Sequence, residues 1–502
     1  MEHSALYDER LRHVDIKRWT LVPIPNDLAI RVISHYFDVY YVEVPLFNDD
    51  LFIKDLVEVN RHFCSSLLVN SLLAFGCKCY SPFDTNASAW ADRFHLQADR
   101  ELARGSPSNT LTTVVALLLI GVSNVLDGKD KEGLQFQREC VKVGKLMGLF
   151  GVKTSESSAM SWLTGYDDWT RAASYTAWGV FNWVSCMSLH FHICEIDEAP
   201  LLPKPRDLLA ETQPRSLKAM RAARHAEILS KSGEFWDIVK GFLVQYYVEM
   251  RADPAAPGFQ DFAEAKYTQL LHWASSLPPE LERTDASDHD VVTMHIYFHT
   301  VITDVFRPLI TSPSLSSRVR FDIGPFTSAE AIYAASINQL KRLCIMLRLK
   351  YPVARFSLIW HVPVIYLANA IFQESETVAS LRCIEQRFYL DLILAGLSDL
   401  CVGFAVSGIM ARAVVYMALQ NGAIQPARAN RVLKKLKEID AAREAARSTS
   451  RVNRKIDWFM DLNLAMTDVK SARAEAMIDQ LESLILSGDP SVEESDKEGR
   501  SE

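Results

Sequence analysis

The segment from Arg171 to Pro205, RAASYTAWGVFNWVSCMSLHFHICEIDEAPLLPKP, constrains the fold more than any other part of the chain. It reads as one long aromatic-rich helix followed by a proline-punctuated exit. Trp178, Phe181 and Trp183 share that helix with the small residues Ala177, Gly179 and Ser185, so it can pack on nearly every side. A helix that is apolar almost all round belongs in the centre of a large protein, and this one is too polar to span a bilayer. The remainder of the chain must therefore supply the layers around it.

Helices supply those layers. The 502 residues can hold two to four ordinary domains or one large helical domain, and 49% hydrophobic content predicts a sizeable core. Strand-type alternation never persists beyond a few residues, whereas helical spacing recurs. A first helix is expected from Asp27 as N-cap, with Ala29, Ile33, Phe37 and Tyr40 on one face, stopping before Pro45. A polar turn and Phe52, an aromatic folding back onto that helix, should follow. Further helices are expected over Phe63 to Tyr80, Ala87 to Ala103, Leu111 to Val125 and Glu132 to Met147. The last two, joined through Asp127-Gly128-Lys129, form an antiparallel hairpin pattern. Beyond Pro205 come a basic helical stretch (Arg215, Lys218, Arg221, Arg224), a helix from Glu234 to about Arg251, and a helix pair parted by Pro278-Pro279. Val291 to Leu309, Ser328 to Leu349, Phe356 to Phe372, Ile384 to Leu397 and Cys401 to Leu419 complete the series. The expected fold is all-α, a large multi-helix domain of packed helical hairpins without a repeat of fixed period. Its expected organisation is an N-terminal segment (1–26), the helical domain (27–420), a basic helical extension partly detached at the surface (421–488), and an acidic disordered tail (489–502).

Bulk properties narrow the function. A net charge of −8 argues against DNA binding through the bulk surface, so any nucleic-acid contact must be local or delegated. Met1-Glu2-His3 opens no apolar signal region. The runs Leu111–Val125 and Leu358–Phe372 are interrupted by polar residues and Pro363, short of the roughly 18–20 clean apolar residues of a spanning helix. A soluble, intracellular protein with no membrane partner is expected. The nine cysteines, from Cys64 and the Cys77-Lys78-Cys79 pair to Cys401, are odd in number and dispersed, as reduced thiols buried as small hydrophobes would be.

Candidate chemistry is sparse. In His190-Phe191-His192-Ile193-Cys194 the i,i+4 pair His190 and Cys194 has ligand-like types, but zinc needs three or four convergent ligands, so a buried helix end with satisfied imidazoles is expected. His295 and His299 share the spacing without an H-E-x-x-H pattern, which predicts a structural role. Asp49-Asp50 and Asp167-Asp168 begin acidic motifs of the magnesium-diphosphate type but lack the third carboxylate; helix-start capping is the expected role of Asp167 or Asp168. There is no Walker A, no G-x-G-x-x-G and no G-x-S-x-G. No catalytic, cofactor-binding or metal residue is assigned, and no enzyme is expected. The basic stretch Arg431 to Lys455, with Lys434, Lys435, Lys437, Arg443, Arg447, Arg451 and Arg454, fits a nuclear import signal or a phosphate-contacting patch. It equally fits a solvated helix face with partners such as Asp440–Arg443 and Glu444–Arg447.

Several short motifs resemble one family. Arg171, then Trp178-Gly179-Val180-Phe181-Asn182-Trp183, then Pro200, Pro203 and Pro205 resemble the signature helix of the fungal transcription factor regulatory domain, the middle homology region found downstream of Zn2Cys6 binuclear zinc clusters. His35-Tyr36-Phe37, Pro45-Leu46-Phe47 and Phe52 resemble its opening, Met147-Gly148-Leu149-Phe150 a later close, and Tyr297 with Phe306-Arg307-Pro308 a helix of its C-terminal half. The family's usual Gln in the Leu111 helix falls near Val115 or Ala116, a departure. The resemblance covers about residues 27–420 and implies a nuclear transcription regulator of a pathway-specific (nitrogen or secondary-metabolite) gene set, with a structural role for Arg307. It further implies dimerisation (homo- or heterodimer), contact with the transcription machinery or a DNA-binding partner, and a small-molecule effector. The family's DNA-reading module needs six clustered cysteines, and the sequence has no C-x-x-C. The expectation is a truncated product or a regulator without its own zinc cluster, its DNA-contacting residues unassigned. The alternative is an all-α small-molecule-binding protein or enzyme of a secondary pathway, with Trp162, Trp169, Trp178 and Trp183 lining an apolar pocket.

Overall fold

The computed structural model describes residues 6–43, 45–104, 108–151, 163–209, 216–245, 253, 256–311, 328–373, 381–446 and 456–486. Among them are sixteen α-helices and no strand; a lone antiparallel bridge joins Phe459 and Arg473. Trp162, Arg447 to Lys455 and the acidic tail lie outside the described residues.

The N-terminal segment is a strap, not a linker. Two short 3-10 turns, Glu9–His13 and Ile16–Arg18, bury Tyr7, Leu11, Ile16 and Trp19, and the Trp19 indole donates to the Leu56 carbonyl at 3.0 Å. Helix α1 (Asn26–His35) continues through a π-helical turn, Tyr36–Tyr40. It starts one residue before the expected cap: Asn26 exchanges hydrogen bonds with the backbones of Ile16 and Val14, and Asp27 pairs with Arg31 at 2.9 Å within the helix. The polar turn expected around Asp49 is a full helix, α2 (Asp49–Glu58), because the Asn48 side chain accepts from the Leu51 amide and closes its N-terminus. Phe52 does fold back, packing on Phe37 and Phe47.

Hairpins build the interior. Helices α3 (Ser66–Tyr80) and α4 (Ala87–Ala103) pair, as do α5 (Leu111–Leu126) and α6 (Asp130–Leu146). Every residue of α5 is buried, and α7 (Asp167–Phe191) packs beside it. Helix α8 (Leu217–Leu243) is continuous and pairs with α7, where separate basic and Glu234 helices were expected. Then follow α9 (Phe259–Ser275), α10 (His289–Thr311), α11 (Ala329–Lys350), α12 (His361–Gln373), α13 (Leu381–Leu400), α14 (Ala405–Gln420), α15 (Pro426–Ala446) and α16 (Ala474–Leu486). Helix α10 continues past Pro308 to Thr311, two residues beyond the expected end at Leu309. Helix α15 is fastened rather than detached: Ala429 and Leu436 are buried, and Arg443 donates to the Cys401 carbonyl at 2.6 Å while pairing with Asp440, which also holds Arg412 at 2.5 Å. A single hydrophobic core runs from Tyr7 to Met477. No described helix is long and apolar enough to cross a membrane.

Candidate central cavity

The aromatic-rich helix α7 sits where its composition requires. A Cβ at Gly179 would stand 2.2 Å from the Pro45 carbonyl oxygen, so only glycine lets the Pro45-Leu46 backbone cross the helix this closely. On the other side Gly233 of α8 lies flat against the Trp178 ring, where a Cβ would approach to 2.6 Å. The Trp178 indole donates to the Leu202 carbonyl at 3.1 Å and the Ser174 hydroxyl to the Pro203 carbonyl at 2.6 Å, which pins the proline-rich exit along α7. Asn182 donates to the Leu229 carbonyl of α8 at 3.3 Å. Asp167 and Asp168 lie in the first turn after the cap position Tyr166; Asp168 pairs with Arg171 at 2.7 Å instead of capping.

Beyond this seam the C-terminal half of α7 lines a cavity shared with Val122, Val125 and Leu126 of α5, with α10, and with the start of α12. As the side chains stand it holds about 30 Å³, within about 470 Å³ of empty space counted out to its open side. Trp183, Met187 and His190 come from α7, Thr293 and Tyr297 from α10, and Trp458 from the segment preceding α16. Glu43 enters from the loop after α1; Oε1 accepts from the Ser357 hydroxyl and Oε2 from the Leu358 amide at 3.2 Å. Burial pushes the Glu43 carboxyl up to about 7.

The imidazoles here are neutral. Burial, aided by the neighbouring His192, lowers His190 to about 3, and burial lowers His361 to about 4. His361 is fully engaged: Nδ1 donates to the Leu358 carbonyl at 3.1 Å and Nε2 accepts from the Ser407 hydroxyl at 2.7 Å. His190 stacks on Trp458 at 4.9 Å, but its Nε2 has no partner among the described residues, unlike the satisfied imidazole expected. Thr293 Oγ1 and Trp458 Nε1 are also buried without a hydrogen-bond partner among the described residues. The residues that carry these three atoms all line one largely apolar space. No Lys or Arg lines it among the described residues.

The other sequence candidates scatter. His192 stacks on Phe459 at 4.6 Å, and Cys194 donates to the Ile196 carbonyl at 3.5 Å, so neither converges with His190. No group of three or more His, Cys, Asp or Glu among the described residues is placed to hold a metal ion. His295 lies 3.1 Å from the Leu281 carbonyl and His299 3.4 Å from the Ser336 hydroxyl. Asp49 accepts from the Tyr7 hydroxyl at 2.5 Å, while Asp50 takes Lys218 at 2.6 Å and Arg10 at 2.8 Å, so this pair ties the strap and α8 to α2. The tryptophans do not share a pocket: Trp169 packs on Phe63, Trp178 on Phe181, and only Trp183 of the described three reaches the cavity. Glu43, Thr293 and Trp458 escaped sequence reasoning because no local spacing connects positions so far apart.

Comparison with known proteins gives this arrangement a context. No protein-family model and no solved structure matches the chain. It is 23% identical over 350 residues to the nitrogen assimilation transcription factor nirA of Emericella nidulans, covering 65% of this chain and 38% of that protein. It is 24% identical over 335 residues to the nitrogen assimilation transcription factor nit-4 of Neurospora crassa, covering 59% and 29%. A third relative, 21% identical over 359 residues and covering 68% and 56%, is the notoamide biosynthesis transcriptional activator notL' of Aspergillus versicolor. The chain is a homologue of fungal pathway-specific transcription factors. It spans between about a third and just over half of the length of these relatives.

In this transcription factor homologue the basic surface is narrower than the sequence suggests. Arg431, Lys434, Lys435 and Lys437 are exposed on α15, but Leu436 between them is buried and Arg443 is consumed by Asp440. The Asp440–Arg443 pair forms as the i,i+3 spacing predicts. Arg307 lies against Asp304 at 2.6 Å, both buried, and donates to the Leu462 carbonyl, a structural position.

Proposed function

We propose that these residues form the regulatory body of a nuclear transcription regulator that controls a nitrogen-assimilation or secondary-metabolite gene set and converts no substrate. The observation that carries this reading is the similarity to three fungal pathway-specific transcription factors over about 60% of the chain. The all-helical body is consistent with it, and ion pairs of Asp50 with Lys218 and Arg10 and of Asp440 with Arg412 and Arg443 hold the strap, α8 and α15 in place. In this reading residues 27–420 are the regulatory domain, 1–26 its strap, 421–488 a basic extension and 489–502 an acidic tail. DNA contact is indirect, through a partner in a homo- or heterodimer, or lost, and the partner is the transcription machinery or a DNA-binding protein. The 502 residues hold no zinc cluster, so purified protein should contain no stoichiometric zinc; two zinc ions per chain by elemental analysis would overturn that part.

A small-molecule effector belongs to the same reading, supported by the central cavity. Deleting the gene and measuring transcripts tests regulation: altered expression of a co-located gene set is expected. Turnover of prenyl diphosphates with magnesium by the purified protein would favour the enzyme alternative and sink the regulator.

A further inference from the structure

We propose that a cleft separate from the central cavity, between residues 369–373 of α12, the C-terminal end of α14 and the 461–467 segment, binds a small organic cation with several N–H donors: an amidinium, a guanidinium or a primary ammonium. The proposal goes beyond the regulatory reading and does not depend on it. Its first support is room. The cleft holds about 370 Å³, against about 30 Å³ in the central cavity. A cavity of about 150 Å³ is enough for benzene. The wall that faces α12 is fastened: Asn369 Nδ2 donates to the Met460 carbonyl at 2.7 Å, and its Oδ1 accepts from the Leu462 amide at 2.9 Å. Buried Phe372 and Met417, with Leu464, supply an apolar part of the lining for a hydrocarbon body.

The second support is charge. Asp461 is the one charged residue in the lining, which contains no Lys, Arg or His among the described residues. It is half-buried; its Oδ1 accepts from the Asn463 and Leu464 amides at 3.0 and 2.8 Å, which closes the turn, while its Oδ2 has no hydrogen bond or ion pair among the described residues. The third support is the end of α14. That helix stops at Gln420 with Asn421 as its cap, and the carbonyl end of a helix favours positive charge within its last turn. The Asn421 amide group donates back to the Met417 carbonyl at 2.9 Å, which leaves its own oxygen to accept. Gln373 and Thr467 add neutral polar groups. An anion here would meet Asp461 and the helix end with nothing to offset either. A cation meets both, and N–H donors match the free carboxylate and carboxamide oxygens better than a quaternary charge does.

Benzamidine, benzamide and benzoate share one shape and differ in charge, and benzyltrimethylammonium carries a charge without an N–H. Titrating each into the purified full-length chain at neutral pH tests the site, read by saturation-transfer NMR and the thermal unfolding midpoint. Saturable binding and a raised midpoint are expected with benzamidine. Benzamide and the quaternary cation should bind at least about fivefold more weakly, and benzoate not at all. Asp461→Asn keeps the oxygen that the two amides need and removes the charge, and it should weaken benzamidine at least about fivefold. Thr467→Arg, at an exposed position of the lining, brings a tethered guanidinium to the cleft and should abolish binding. Circular dichroism checks that both variants fold. No saturable response to benzamidine, equal binding of any of the other three probes, or unchanged binding by either folded variant would overturn the site; the last result would place the cation elsewhere on this acidic chain. None of these outcomes bears on the transcript measurement, so a cleft that fails to bind leaves the regulatory reading standing.

Discussion

Helix α10 carries two buried polar centres about four turns apart, and they are built in opposite ways. At its C-terminal end Arg307 and Asp304 form an ion pair of 2.6 Å, and the guanidinium also reaches the Leu462 carbonyl. At its N-terminal end Thr293 lines the central cavity along with His190 and Trp458, and each of the three keeps a polar atom without a partner among the described residues. Both centres are buried, so burial alone does not distinguish a structural site from a receptive one. The first closes on itself and holds the 456–468 segment against α10. The second leaves hydrogen-bonding capacity unused among the described residues.

The comparison can be broken most forcefully at the closed centre. Arg307→Met leaves Asp304 buried without its cation and should destabilise the protein by about 3–5 kcal/mol in urea unfolding; a loss under 1 kcal/mol would mean that the pair is not what closes this end. Next in size is Gly179→Ala, which drives a methyl into the Pro45 carbonyl and should cost about 2–3 kcal/mol, read as a lowered thermal midpoint. The receptive centre responds to pH. Its folded state keeps His190 neutral down to about 3, while the unfolded chain takes up a proton near 6.5. Stability from this group is therefore complete above about 6.5 and lost as pH falls, by about 2 kcal/mol at pH 5. His190→Phe should flatten that part of the profile. Glu43 acts the other way: its raised pKa stabilises the fold at low pH, and that gain fades as pH rises through about 7, so Glu43→Gln should steepen the acid loss. The smallest expected effect sharpens the contrast most. Thr293→Val should change unfolding stability by less than about 1 kcal/mol, because no protein hydrogen bond is lost.

Sequence patterns reveal the closed parts of this molecule better than the receptive one. Helix α4 spans Ala87–Ala103 as its periodicity predicts, and Ser328 caps α11 through the Ala331 amide at 3.2 Å, since both depend on neighbours within one turn. Arg307 was legible through its place in the Phe-Arg-Pro motif, whose proline stays within the helix. Helix α2 was missed because Asn48-Asp49-Asp50 has the polarity of a turn and also the chemistry of a helix start. In the basic stretch the spacing foretold the Asp440–Arg443 pair, but not that Arg443 is buried and reaches the Cys401 carbonyl. The cavity itself has no sequence signature. Glu43, His190, Thr293 and Trp458 stand on four separate elements, and an unpartnered atom is a property of the packing around it.

The central claim is that this helical body handles information and leaves substrates unchanged. Transcript abundance across the genome in a strain lacking the gene tests it most directly. The account predicts altered expression of a coherent nitrogen-assimilation or secondary-metabolite gene set, restored by the wild-type chain. An unaltered transcript profile under conditions that induce those pathways would contradict it.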